Sequence, residues 1–157
     1  MKKIAVFPGS FDPVTRGHEN IVIRAIPLFD EIIVALGENS EKNSFFYLQT
    51  RIDFLKKVFQ SHPTVKIESY KGLTVDFCRD MNAKYILRGL RTSADFEFER
   101  SIGQMNKKIH SDIETVFMLS LPEYTPLNSS IVRDIIKNGG DARDFVPQAI
   151  ADELEKY

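Results

Sequence analysis

The chain has no tryptophan, a single cysteine and, with 21 basic against 22 acidic residues, almost no net charge. Each shortage excludes something. One cysteine, Cys78, cannot close an internal disulfide, so the fold is not a disulfide scaffold, and such usage fits a reducing compartment. A formal net charge of −1 gives no global field to hold nucleic acid or an anionic membrane; an anion site must be a local cluster. Long hydrophobic runs are missing as well. Nothing approaches the roughly 20 apolar residues of a membrane span. The apolar stretch behind Lys2 and Lys3 covers only residues 4–7, too short for a signal peptide. No His/Cys/Asp cluster has metal-ligand spacing, and neither G-x-x-x-x-G-K-[ST] nor a G-x-G-x-x-G after the first strand occurs. These absences predict a cytoplasmic protein with no membrane or nucleic-acid partner and no metal held by the protein alone.

What is present fits one domain over residues 1–157, with 43% hydrophobic residues and twelve phenylalanines to build its core. Short apolar runs of the kind buried on both faces predict strands at 4–7 and 32–36, with further strands at 65–70, 84–87 and 115–119. Between them, apolar residues recur at helical spacing. Val22, Ala25, Ile26 and Phe29 mark a helix over 19–29 that Pro27 ends or kinks. Ile52, Leu55 and Phe59 mark one over 48–60, and others are expected over 73–81 and 129–137. Phe98, Ile102, Met105 and Ile109 form a stripe on a helix over 94–109, read as core. After Gly139-Gly140 a last helix runs over 147–156, with Pro147 at its start. The alternation predicts an α/β, Rossmann-like doubly wound sheet of about five parallel strands with helices on both faces; the strand order 3-2-1-4-5 is the expectation for that fold class and is not read from these residues.

In such a sheet ligands bind beyond the carboxyl ends of the strands, where the order reverses. The unusual residues fall at those ends: 9–18 after the first strand, Lys42 after the second, Gly72 after the third, Arg88-Gly89-Leu90-Arg91 after the fourth and 124–130 after the fifth. Their chemistry is anion binding. A helix start offers unpaired N–H groups and positive potential, Gly17 allows close approach to them, and His18 can donate to the same phosphate. Arg88 and Arg91 offer planar forks for phosphate oxygens. Lys42, in the polar loop 37–43, is a point charge that could close over a ligand. Ser129 and Ser130 open a helix. Plainer roles exist beside these: His18 as a capping residue, Arg88 and Arg91 in ion pairs with Asp95 or Glu97, Ser129 as an N-cap, Asp12 as a turn residue before Pro13, Cys78 as core packing. Several phosphate donors without an obvious nucleophile suit phosphoryl or nucleotidyl transfer.

The stretch Gly9-Ser-Phe-Asp-Pro followed by Thr15-Arg16-Gly17-His18 resembles the first signature of the T/HxGH nucleotidyltransferases. Arg88-Gly-Leu-Arg91 with Ala94-Asp-Phe-Glu-Phe-Glu99 narrows the resemblance to the bacterial phosphopantetheine adenylyltransferase family, and Ser129-Ser130-x-x-Arg133 looks like the second signature. The resemblance implies transfer of AMP from ATP to 4′-phosphopantetheine, with Mg2+ held mainly through ATP phosphates, a homohexamer and coenzyme A as feedback ligand. By position it implies His18, Lys42 and Arg91 as catalytic residues. It sets Ser10, Lys42, Thr74 and Arg88 on the 4′-phosphopantetheine side. On the ATP side it sets Ser10, Phe11, His18, Gly89, Leu90, Arg91, Glu99, Tyr124, Thr125, Pro126, Leu127, Asn128, Ser129 and Ser130. Ser10, Thr74, Phe98, Asn128 and Asp134 depart from the commonest family pattern.

Overall fold

A computed structural model of the chain describes residues 1–38 and 43–157. Five parallel strands, β1 (Ile4–Gly9), β2 (Glu31–Gly37), β3 (Val65–Tyr70), β4 (Tyr85–Leu90) and β5 (Glu114–Leu119), form one sheet in the order β3-β2-β1-β4-β5. This is the expected order, with the reversal between β1 and β4. The intervening helices are α1 (Arg16–Ala25), α2 (Leu48–Val58), α3 (Thr74–Asp80), α4 (Ser93–Ile109), α5 (Ser129–Lys137) and α6 (Gln148–Ala151).

Successive strand residues point to opposite faces, so each central strand feeds two cores. Ala5, Phe7, Ile32, Val34 and Leu36 join Val22 of α1, Leu55 of α2, Val132 of α5 and Ile150 of α6 on one face. Val6, Ile33, Ala35 and Ile86 join Val75 and Cys78 of α3 on the other. Cys78 is fully buried, and loss of hydration pushes its thiol up to about 12, as expected of a packing residue.

The structure differs from expectation at α1, the last helix and the α4 stripe, and at β4, which runs on to Leu90. Helix α1 starts earlier, at Arg16, because Thr15 caps it, and gives way after Ala25 to a 3₁₀ turn that carries Pro27. The last helix keeps only one α turn before continuing as 3₁₀ over Asp152–Lys156. The α4 stripe is not core: Phe98, Ile102, Met105 and Ile109 are 69%, 41%, 57% and 48% exposed, and α4 buries no residue fully. Helical periodicity reveals an apolar face but not what covers it. Gly103 lets α4 lie close on β5, since a Cβ there would sit 3.1 Å from the Thr115 hydroxyl.

One feature of the sheet makes the site. Strands β1 and β2 pair along their whole length, from Ile4 opposite Glu31 to Gly9 opposite Leu36. Strands β1 and β4 pair only at Ala5–Tyr85 and Val6–Ile86. Beyond those pairs they part, and the crevice runs between Phe7–Gly9 and Leu87–Leu90. The arginine motif therefore does not simply follow the fourth strand: Arg88, Gly89 and Leu90 are the last residues of β4, and only Arg91 lies past it.

Candidate active site

Two adjoining lobes occupy this crevice, of about 330 and 490 Å³. They share Pro8, Gly9, Ser10, Arg88, Phe98 and Glu99, so Arg88 stands at the waist. The smaller lobe extends past Tyr70, Gly72 and Thr74. The larger extends past Gly17, His18, Gly89, Arg91, Tyr124 and Asn128. Both volumes suit small-molecule sites.

His18 occupies the first turn of α1 in a capping box. The Thr15 backbone N–H donates to His18 Nδ1 at 3.0 Å, and the His18 N–H donates to the Thr15 hydroxyl at 3.3 Å. An N–H donor at Nδ1 makes that nitrogen the acceptor, so the ring proton is on Nε2. Loss of hydration, then the Arg88 and Arg91 charges, push the imidazole down to about 4. Capping fixes the tautomer and leaves a neutral Nε2–H as donor. Edge contacts from Phe11 at 5.0 Å and Phe7 at 6.3 Å hold the ring plane.

Gly17 lines the larger lobe, and a Cβ there would come no nearer than 3.5 Å to any protein atom. Protein packing therefore does not demand glycine; the lobe's occupant can. Gly9 is different, because its Cβ would press on the Phe11 ring at 3.1 Å.

Arg88 is anchored on both sides of the crevice. Its Nη1 donates to Pro8 O at 2.7 Å, while Nε and Nη2 donate to the two carboxylate oxygens of Glu99 at 3.0 and 2.6 Å. This bidentate pair aims the guanidinium and leaves further N–H groups of the fork for a ligand. Glu99, expected on the nucleotide side, lines both lobes and pairs with Arg88. Arg91 pairs with Asp95 and reaches Leu127 O at 3.3 Å, which ties β4 to the loop before α5. Both arginines thus form ion pairs, Arg91 with Asp95 as expected and Arg88 with Glu99 in place of Glu97.

At the start of α5 the cap is Asn128, whose side chain accepts from the Ile131 N–H at 2.9 Å, and not Ser129. The Ser129 hydroxyl donates to Pro13 O at 2.8 Å, and Ser130 accepts from Arg133 at 3.0 Å. Of the expected positions, Ser10, Phe11, Gly89, Glu99, Tyr124, Leu127, Asn128 and Ser129 line the larger lobe beside His18 and Arg91. Thr74 lines the smaller lobe, where its hydroxyl meets that of Tyr70 at 2.7 Å. Leu90, Thr125, Pro126 and Ser130 line neither. Lys42, and with it most of the 37–43 loop, lies outside the described residues. Asp134 is exposed on α5 and carries no cleft contact.

Sequence reading missed Thr15 as the orienting partner of His18, although the Thr-x-x-His spacing of a capping box signals it. It also gave Asp12 only a turn. The Asp12 carboxylate is buried and accepts from the Phe45 and Phe46 N–H groups at 2.7 and 2.9 Å. These partners lie more than thirty residues along the chain, so no local signal marks them.

Residues 6–135 match the model of the cytidylyltransferase-like family. A phosphopantetheine adenylyltransferase of Christiangramia forsetii is 53% identical over 150 residues, which cover 96% of this chain and 98% of the relative. One of Flavobacterium psychrophilum is 52% identical over 146 residues, 93% of this chain and 96% of the relative. Among solved structures, a bifunctional NMN adenylyltransferase/ADP ribose pyrophosphatase of Francisella tularensis, complexed with AMP and Mn ion, shares the fold with a TM-score of 0.73 at 18% identity, over 99% of this chain and 49% of that one. A proposed nicotinate-nucleotide adenylyltransferase of Vibrio parahaemolyticus does so with a TM-score of 0.72 at 17% identity, over 99% of both chains. The chain belongs to the cytidylyltransferase-like family, in its phosphopantetheine adenylyltransferase branch.

Proposed function

We propose that this chain transfers the adenylyl group of ATP to 4′-phosphopantetheine, giving dephospho-coenzyme A and pyrophosphate. The observation that carries the reading is the pair of lobes meeting at Arg88, with a neutral imidazole donor, a second arginine and a helix start around the larger one. Two phosphate-bearing substrates can enter from opposite lobes and meet at the waist. ATP takes the larger lobe, between Gly17, His18, Arg91 and the α5 start. The pantetheine arm takes the smaller lobe, along Thr74, and its phosphate reaches Ser10 and Arg88.

The nucleophile is the acceptor's own phosphate oxygen, so no side chain must be activated. It attacks the α-phosphorus in line; the new P–O bond forms as the bond to the bridging oxygen breaks, and pyrophosphate leaves with that electron pair. The Nε2–H of His18 donates to the transferring phosphoryl throughout and keeps its proton. Arg91 and the amides at the starts of α1 and α5 oppose charge on the leaving pyrophosphate, and Lys42 completes this set. Removing one such donor typically costs about 10²–10³ in turnover.

Among the described residues no group of three or more His, Cys, Asp or Glu could hold a metal ion. The cleft's arginines, imidazole N–H and amides suit phosphate oxygens and not a cation. Mg2+ would come with ATP and supply a counter-charge on its phosphates. Coenzyme A carries the same arm and would compete for the cleft as feedback ligand. The reading treats residues 1–157 as one catalytic domain in the cytoplasm; among the described residues no helix is long and apolar enough to cross a membrane. It also takes the exposed α4 stripe as a face covered by further copies in a homohexamer. Pyrophosphate release measured with 4′-phosphopantetheine, nicotinamide mononucleotide and a sugar phosphate as acceptors tests the assignment. Release with the first alone is expected, and preference for either other acceptor would refute it.

A further inference from the structure

Among the described residues, only Asp12, Thr15 and Arg51 are buried polar or charged side chains, and all three surround the loop between β1 and α1. Thr15 fixes His18. Asp12 and Arg51 take no part in the chemistry above, yet Arg51, from the first turns of α2, is 0% exposed. Burying a guanidinium is expensive unless its donors find acceptors. Here Nη1 donates to Ser10 O at 2.8 Å and Nε to Phe46 O at 3.1 Å. Phe46 is therefore held at both ends of its backbone, by Arg51 on its carbonyl and by Asp12 on its N–H. Arg133 holds Asp12 O at 2.9 Å from the other side.

This brace has a directional consequence. In a trans peptide the carbonyl and the next N–H point opposite ways. The Ser10–Phe11 bond is trans: among the described residues Asp12-Pro13 is the only cis bond. Arg51 lines neither lobe, whereas Ser10 and Phe11 line the larger one. Drawing Ser10 O inward thus turns the Phe11 N–H outward. Phe11 sits at φ +45°, a conformation that non-glycine residues rarely adopt and that the surroundings must hold. Its ring, 3% exposed and packed edge-on against Phe7 and His18, pins the inner end.

We infer that Arg51 is a positioning residue that aims the Phe11 backbone N–H into the cleft as a fixed donor to a nucleotide phosphate. It does so without touching the nucleotide. The inference rests on the adenylyl-transfer reading for the identity of the anion, but its test is a binding measurement that needs no turnover.

Calorimetric affinities for ATP and for adenosine are compared in the full-length wild type, Arg51→Met and Arg51→Lys, below each variant's melting temperature. Arg51→Met should weaken ATP about tenfold or more, as expected for loss of a donor to a charged group, and leave adenosine unchanged. Arg51→Lys, with one compact donor set in place of a fork, should fall between; it decides the matter if Arg51→Met does not fold. In turnover the KM for ATP should rise. Equal weakening of ATP and adenosine, or wild-type ATP affinity in a folded variant, would overturn the inference. A wild type that shows this ATP–adenosine pattern but forms no dephospho-coenzyme A would refute the proposed function and leave Arg51 in its role.

Discussion

His18 shows how a single side chain gets its chemistry from its neighbours. Thr15 N–H sets the tautomer, and loss of hydration with Arg88 and Arg91 keeps the ring uncharged. Nitrogen NMR of the imidazole should find an Nε2–H neutral ring at pH 6 and a titration midpoint near 4; a midpoint at the ordinary 6.5 would contradict this. The sign for stability follows. Between about pH 6.5 and 4 the unfolded chain binds a proton that the folded chain refuses, so this stabilising contribution is whole above 6.5 and is lost as pH falls toward 4. Gly17 gives the complementary prediction. Because a Cβ fits the protein there, Gly17→Ala should melt no lower than wild type, and up to about 1 kcal/mol of added stability is available from helix propensity. ATP binding should nevertheless weaken, and unchanged ATP affinity would remove Gly17 from the phosphate site. The sequence marked Gly17 and His18 by their place after the first strand. It could not mark the protonation state, which depends on burial in the folded chain and on arginines some seventy residues away.

At the scale of elements, the site is a consequence of two strands that stop pairing. Strand β4 continues past its partnership with β1 for four more residues, and Arg88 spans the gap to Pro8. The short apolar run at 84–87 located β4 but ended it too soon, because Arg88 and Gly89 do not look like strand residues; what keeps them in the strand is pairing with Phe117 and Met118 of β5. The Arg88–Glu99 pair, with side chains 31% and 12% exposed, separates folding from binding. Arg88→Ala leaves Glu99 a half-buried carboxylate without its main partner and should cost about 2 kcal/mol, between surface and fully buried pairs. Arg88→Ala with Glu99→Gln should recover most of that stability in a melting experiment while the KM for 4′-phosphopantetheine stays high. If affinity returned along with stability, Arg88 would be structural only. Helix α4 carries the opposite lesson. Its period was plain in the sequence, yet burial depends on what lies against it, and among the described residues Phe98 and Met105 stay mostly exposed.

The whole molecule joins these devices. The alternation of strands and helices implied the parallel sheet, and the motif positions implied most of the cleft lining, since both follow from where chain segments cross the edge of one sheet; the strand order followed from the fold class and from no residue pattern. Contacts between distant loops, such as Asp12 with Phe45 and Phe46 or Arg51 with Ser10, were not legible, because they follow no period and no spacing. The exposed α4 stripe sets a prediction at this scale. Wild-type protein should sediment as a hexamer, and Met105→Glu should shift it to smaller species with the far-ultraviolet spectrum intact. A monomeric wild type would contradict the proposed assembly. The central claim is chemical, and phosphorus NMR of one mixture tests it: protein, Mg2+, ATP and 4′-phosphopantetheine. The pyrophosphate diester of dephospho-coenzyme A and free pyrophosphate should grow in together, in equal amounts, as ATP and the phosphomonoester decline. ATP left intact, or cleaved without formation of that diester by folded protein, would contradict the account.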